Sequence, residues 1–127
     1  MLRVMMAAAV LCTAAIPAMA ADPAAGEKAF AVCKACHKVG EGAKNGVGPV
    51  LNGVVGRAAG SAEGYKYSDA MASSGITWDE ANLAEYLKYP KTKVAGNKMM
   101  FAGVKDDTKL ADIIAFLGQF NADGTKK

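Results

Sequence analysis

With 127 residues, 52% of them hydrophobic and 21% charged, the chain has room for one domain with a modest core and none for a second. Its formal net charge of +3 argues against a nucleic-acid binder, so where its lysines lie matters more than how many there are.

Met1, Leu2 and Arg3 give a positive start, Val4 to Ile16 carries no charge, and Pro17-Ala18-Met19-Ala20 ends in an A-x-A site. This is the three-part form of a secretory signal. Residues 1–20 therefore read as a leader cleaved after Ala20, and 21–127 as a mature domain exported to the periplasm. The alternative is an uncleaved N-terminal anchor facing the periplasm, because the uncharged run approaches the roughly 18 to 20 residues that span a bilayer. Its alanine content and Pro17 disfavour that reading, and the mature chain is expected to have no membrane span. Leu11 is wrong for lipoprotein processing at Cys12, so Cys12 leaves with the leader. Loss of Arg3 brings the mature charge near +2 and leaves Cys33 and Cys36 as the mature cysteines. In an oxidising compartment such a pair would ordinarily be read as a disulfide.

Along the mature chain, Asp22 before Pro23 marks a helix start, and the helix is expected to run through Phe30 and Val32 to the cysteines. Glycines from Gly40 to Gly64 then exclude regular structure over a stretch too long for a compact domain unless it wraps something. A short helix fits around Ser68 to Ser73. Thr77 with Glu80 forms a capping box, and Leu83, Tyr86 and Leu87 follow on one helical face until Pro90 stops the run. Lys91 to Gly103 reads as a helix-free loop. Asp106 and Asp107 favour a last helix start, with Leu110, Ile113, Ile114 and Leu117 at i, i+3, i+4 and i+7. Phe30 is expected to meet the Ile113, Phe116, Leu117 stripe where the first and last helices touch. No segment shows strand alternation or a hairpin turn, so the fold class is all-α.

Cys33-Lys34-Ala35-Cys36-His37 fits C-x-x-C-H, the attachment site of c-type haem. Two thiols one turn apart can each add to a vinyl group of the porphyrin, and the adjacent imidazole can ligate the iron. A dithiol redox pair would be expected beside a β-α-β pattern, and a zinc site would need two further ligands from a chain with one His. For the other axial position there is no second histidine. Methionine is the usual alternative, with Met71, Met99 and Met100 available, the last two on the loop between helices. For any single methionine, filling a core gap is the commoner role.

The series Gly26, Phe30, Gly48-Pro49, Gly56-Arg57, Tyr65 to Asp69, Gly75-Ile76-Thr77-Trp78, Glu85-Tyr86-Leu87 and Gly96 to Gly103 resembles class I cytochrome c of the mitochondrial type, in its bacterial periplasmic branch. The likeness covers nearly the whole mature chain. It implies three main helices and long loops wrapped around one covalent haem c with its iron. It also implies a soluble, monomeric one-electron carrier rather than an enzyme. Partners would be a reductase such as a bc-type complex and an oxidase or periplasmic reductase, met through acidic docking faces. The resemblance selects Met99 over Met100 as the sulfur ligand, and has the Pro49 carbonyl orient His37. Tyr67, Trp78 and Arg57 would surround a haem propionate, and Tyr86 would donate toward the Met99 sulfur. Lys34, Lys38, Lys44, Lys91, Lys98 and Lys105 resemble the basic ring around the exposed haem edge. Three positions depart from the pattern: Ala95 for proline, Asn97 for threonine and Met71 for an asparagine, which bear on the stiffness of the Met99 loop and the potential.

A small peroxidase or gas binder is the competing class. It needs an open sixth position, which a methionine in the matching loop would fill.

Overall fold

The computed structural model describes residues 20–127, together with the single residue Ala9; the expected leader otherwise lies outside the described residues. The described chain forms helices α1 (Pro23–Ala29), α2 (Asp69–Ala72), α3 (Glu80–Lys88), α4 (Pro90–Lys93) and α5 (Asp107–Leu117), with a 3-10 turn over Phe30–Cys33. Among the described residues there is no strand, only two isolated antiparallel bridges, Ala58 with Thr77 and Phe120 with Lys126. The fold is all-α, and α1, α3 and α5 are its three main helices.

The α1 start is as the sequence implies. The Asp22 carboxylate accepts from the Ala24 N–H at 2.9 Å, and Pro23 occupies a position where a missing N–H costs nothing. The helix does not continue unbroken to the cysteines. It tightens after Ala29, which turns Phe30 into the core at 1% exposure and brings Cys33 to the cleft described below. The Cys33 carbonyl then accepts from the N–H groups of Cys36 at 3.1 Å and His37 at 2.8 Å, so both thiols and the imidazole share one short turn.

α5 begins at Asp106, whose carboxylate accepts from the Lys109 N–H at 2.9 Å. It crosses α1 at Gly26, where a Cβ would run into the Asp112 backbone carbonyl. Only glycine permits that approach. Beside the crossing the buried Asp112 carboxylate accepts from the Asp22 N–H at 2.8 Å. Phe30 meets Phe116 with ring centroids 5.4 Å apart, and Phe116 meets Phe120 at 5.2 Å. The expected contact between first and last helices is therefore the main helical packing of the domain.

Two local expectations are corrected. The cap of α3 is Asp79, whose carboxylate accepts from the Asn82 N–H at 2.7 Å, not Thr77 in a capping box with Glu80. Thr77 is committed elsewhere: it pairs with Ala58, flanked by Ala59 N–H to Ile76 carbonyl at 2.8 Å and Trp78 N–H to Arg57 carbonyl at 2.8 Å. The stretch after α3 is likewise not helix-free. Pro90 ends α3 and, as a residue suited to the first helical position, opens the single turn α4. α2 lies within the short helix expected near Ser68, whose hydroxyl accepts from the Met71 N–H at 3.1 Å.

Candidate functional site

The long glycine-rich middle, the 3-10 turn, α3, α5 and the loop after α4 enclose one cleft of about 680 Å³. Cys33, Cys36, His37, Pro49, Arg57, Tyr67, Trp78, Tyr86 and Met99 all line it, although they span most of the described chain. Its remaining wall is chiefly apolar and includes core residues Phe30, Leu83, Ile113 and Leu117. Met71 is buried in the same wall at 8% exposure.

His37 sits with Nδ1 2.8 Å from the Pro49 carbonyl. With Nδ1 as the donor, Nε2 keeps its lone pair. Burial pushes the imidazole below its ordinary pKa, the Arg57 guanidinium pushes the same way, and the Pro49 bond opposes both. Gly48 makes the seating possible, because a Cβ there would overlap the His37 ring. Cys33 and Cys36 are free thiols, and burial followed by the neighbouring Cys36 pushes the Cys33 pKa up. Among the described residues no group of three or more His, Cys, Asp and Glu could hold a metal ion, so the zinc alternative lacks its ligands.

Arg57 offers the clearest mark of an occupant. Its Nη1 donates to the carbonyls of Val50 at 3.0 Å and Asn52 at 3.2 Å, while Nε is buried with no hydrogen-bond partner. A buried guanidinium N–H left unpaired beside a cleft is the complement of an anionic group within it. Tyr67 is occupied locally, its hydroxyl accepting from the Ala62 N–H at 3.0 Å. Trp78 packs against Tyr86 with ring centroids 4.8 Å apart and the planes tilted by 37°. The Tyr86 hydroxyl donates toward Met99 Sδ at 4.0 Å, and burial first, then Tyr65, pushes its pKa up to about 12, so it remains a donor at physiological pH. Met99 is partly buried against the core, whereas Met100 is 99% exposed. The donor set thus fits a porphyrin with carboxylate edges: two thiols, an imidazole, a thioether and a cation around an apolar slot.

Asn97 and Lys66, which line the cleft, and Asn52 and Asn45, which tie together the glycine-rich middle, were not picked out for these contacts by the sequence. Asn52, buried, closes the loop by accepting from the Gly40 N–H at 2.8 Å and donating to its carbonyl at 2.9 Å. Asn45 donates to the Glu63 carbonyl at 2.8 Å and accepts from the Val50 N–H at 2.9 Å. Asn97 ties the Met99 loop to α4, and Lys66 stands on the rim. An asparagine among glycines signals only a turn, and nothing in its spacing identifies the carbonyl it will meet.

The cytochrome c family model matches residues 23–121. The chain is 56% identical over 118 residues to cytochrome c2 of Blastochloris viridis, covering 93% of each chain. It is 55% identical over 104 residues to cytochrome c-550 of Bradyrhizobium diazoefficiens, covering 82% of this chain and 76% of that one. Among solved structures, cytochrome cH from Methylobacterium extorquens superposes with a TM-score of 0.73 at 58% identity, covering 76% of this chain and 97% of that one. Cytochrome c2 from Rhodospirillum centenum superposes at 0.75 with 37% identity, covering 79% and 98%. The chain belongs to the cytochrome c family, as a class I bacterial member. Its cofactor is haem c with iron, covalently bound, and it is an electron carrier.

Proposed function

We propose that this protein shuttles single electrons between redox partners in the periplasm, with one haem c held by Cys33 and Cys36 and ligated by His37 and Met99. The observation that carries the reading is the meeting of the C-x-x-C-H motif and Met99 in one apolar cleft, where His37 already has Nδ1 engaged at 2.8 Å. When bound, haem c supplies an iron that gains and loses one electron.

The chain's own groups account for the rest. His37 is held neutral by burial, and the Pro49 carbonyl fixes the ring and strengthens Nε2 as a ligand. Met99 offers a soft thioether that favours the reduced metal, and the apolar wall disfavours the additional positive charge of the oxidised state. Both raise the potential, as Met/His ligation does in general. Arg57, whose Nε is buried and unpaired, would receive a haem propionate, and Tyr67 and Trp78 line the same cleft. Tyr86 donates to the Met99 sulfur. His37 and Met99 would together hold the iron and leave no place on it for a substrate, which favours a carrier over an enzyme. The ferrous protein should therefore fail to bind carbon monoxide at neutral pH. A carbon monoxide spectrum formed within minutes would favour the peroxidase or gas-binder class.

The cleft mouth suggests how partners are met. Val32 at 66%, Val47 at 74% and Met100 at 99% exposure form an apolar rim. Lys66 and Lys98 line the same mouth, and Lys34, Lys38, Lys44, Lys91 and Lys105 are also exposed. We read this as the docking face of a monomer for acidic partners, a bc-type reductase and an oxidase or periplasmic reductase. Steering by such a face raises association rates by about 10- to 10³-fold, and a Debye length of about 8 Å at physiological salt weakens it. Lys66→Glu and Lys91→Glu should each slow stopped-flow reaction with an acidic redox protein at low salt, with Lys126→Glu near wild type. Equal rates for all three across a salt series would remove the docking face. Export with cleavage after Ala20 belongs to the same reading. Among the described residues no helix is long and apolar enough to cross a membrane.

A further inference from the structure

We infer that Asn97 is a positioning residue for Met99, a three-bond staple that holds the ligand loop where a proline-stiffened turn would otherwise do so; the inference rests on Met99 being the sulfur ligand.

The segment from α4 to Met99 turns once. The Asn97 backbone N–H donates to the Val94 carbonyl at 3.2 Å, closing a β-turn in which Gly96 takes φ +87°. Ala95 holds the second position of this turn, where proline is favoured because it fixes φ in advance. Alanine supplies no such restraint, so the loop needs another. The Asn97 side chain provides it. Its Nδ2 donates to the Pro90 carbonyl at 3.0 Å and to the Val94 carbonyl at 2.8 Å, and its Oδ1 accepts from the Met99 N–H at 2.8 Å. The two carbonyls require donors and the Met99 N–H requires an acceptor, so only this orientation of the amide serves all three.

The base of the staple is rigid. Pro90 is one of the fully buried side chains of the domain and Val94 is 5% exposed. One side chain thus joins both ends of α4 to the backbone of the candidate ligand, on the wall of the cleft. A hydroxyl has one proton and could reach only one of the two carbonyls. A carboxylate could still accept from Met99, but its other oxygen would face two carbonyl oxygens with no proton between them. The order of loop retention should therefore be Asn, then Thr, then Ala, then Asp at position 97.

Imidazole titration of the oxidised holoprotein reads this directly, because imidazole binds only when the loop releases the metal, and its apparent affinity scales with the open fraction. Each hydrogen bond typically shifts such an equilibrium by about two- to twelvefold. Asn97→Ala should raise imidazole affinity by about tenfold or more, with Asn97→Thr between it and wild type. Amide exchange at Met99 should accelerate by a similar factor in Asn97→Ala, while amides of α1 and α5 keep wild-type protection. Met99→Ala separates the two levels of the claim. If it raises imidazole affinity while Asn97→Ala stays within about twofold of wild type, the staple is overturned and the ligand stands. If Met99→Ala leaves the affinity unchanged, the ligand assignment itself fails.

Discussion

Cys33→Ala with Cys36→Ala should yield a chain with no covalent haem, and that chain should lose most of its helical signal. The cleft is built into the core, since Phe30, Leu83, Ile113 and Leu117 belong to both. Cavity creation costs about 24 cal/mol per Å³ in well-packed proteins. For a space of about 680 Å³ that would be roughly 16 kcal/mol if the cleft were closed and dry. The cleft is open, so the loss is smaller than that ceiling, but the ceiling itself exceeds the roughly 5 to 15 kcal/mol that holds a domain together. The glycine-rich middle adds to the effect, because it has little regular structure of its own to fall back on. Single Cys→Ala variants should retain one thioether and remain folded. Far-ultraviolet circular dichroism and a covalent-haem stain on denaturing gels check both statements. A well-folded double variant, or a folded wild-type apoprotein with a Cys33–Cys36 disulfide, would support the thiol reading instead.

How much of this was legible in the sequence depends on whether the signal was local. Asp22-Pro23 and Asp106 declare helix starts through their own side chains, and the Leu110, Ile113, Ile114, Leu117 spacing fixes the buried face of α5. The C-x-x-C-H motif is equally local, since its thiols and imidazole share one turn. Pro90 was ambiguous because proline both ends one helix and begins another, and only the chain beyond it decides. Thr77 misled for a different reason. Its capping-box pattern was outcompeted by pairing with Ala58, a partner nineteen positions away that no local rule predicts. The convergence of Arg57, Tyr67, Trp78 and Tyr86 was readable through resemblance alone, because four residues brought together by loops leave no periodicity. The Asn97 staple was visible as a departure from the family pattern, but its three bonds required coordinates.

The second large effect belongs to Met99. Met99→Ala should remove the sulfur from the metal and the acceptor from the Tyr86 hydroxyl. The potential should then fall by an amount on the order of a hundred millivolts, within the roughly 0.8 V over which axial ligands move haem potentials. The variant should also bind carbon monoxide when reduced. Met100→Ala should do none of these things, because Met100 is 99% exposed and its side chain makes no hydrogen bond among the described contacts. The contrast between adjacent residues of the same type controls for the general effect of losing a methionine from this loop.

The central claim, a carrier whose iron is closed by His37 and Met99, is met most directly by the absorption spectrum of the oxidised holoprotein and of these two variants. The account predicts a low-spin spectrum with the weak sulfur-to-iron charge-transfer band in wild type and in Met100→Ala, and its loss in Met99→Ala. A five-coordinate high-spin spectrum in wild type, or loss of the band in Met100→Ala alone, would contradict it.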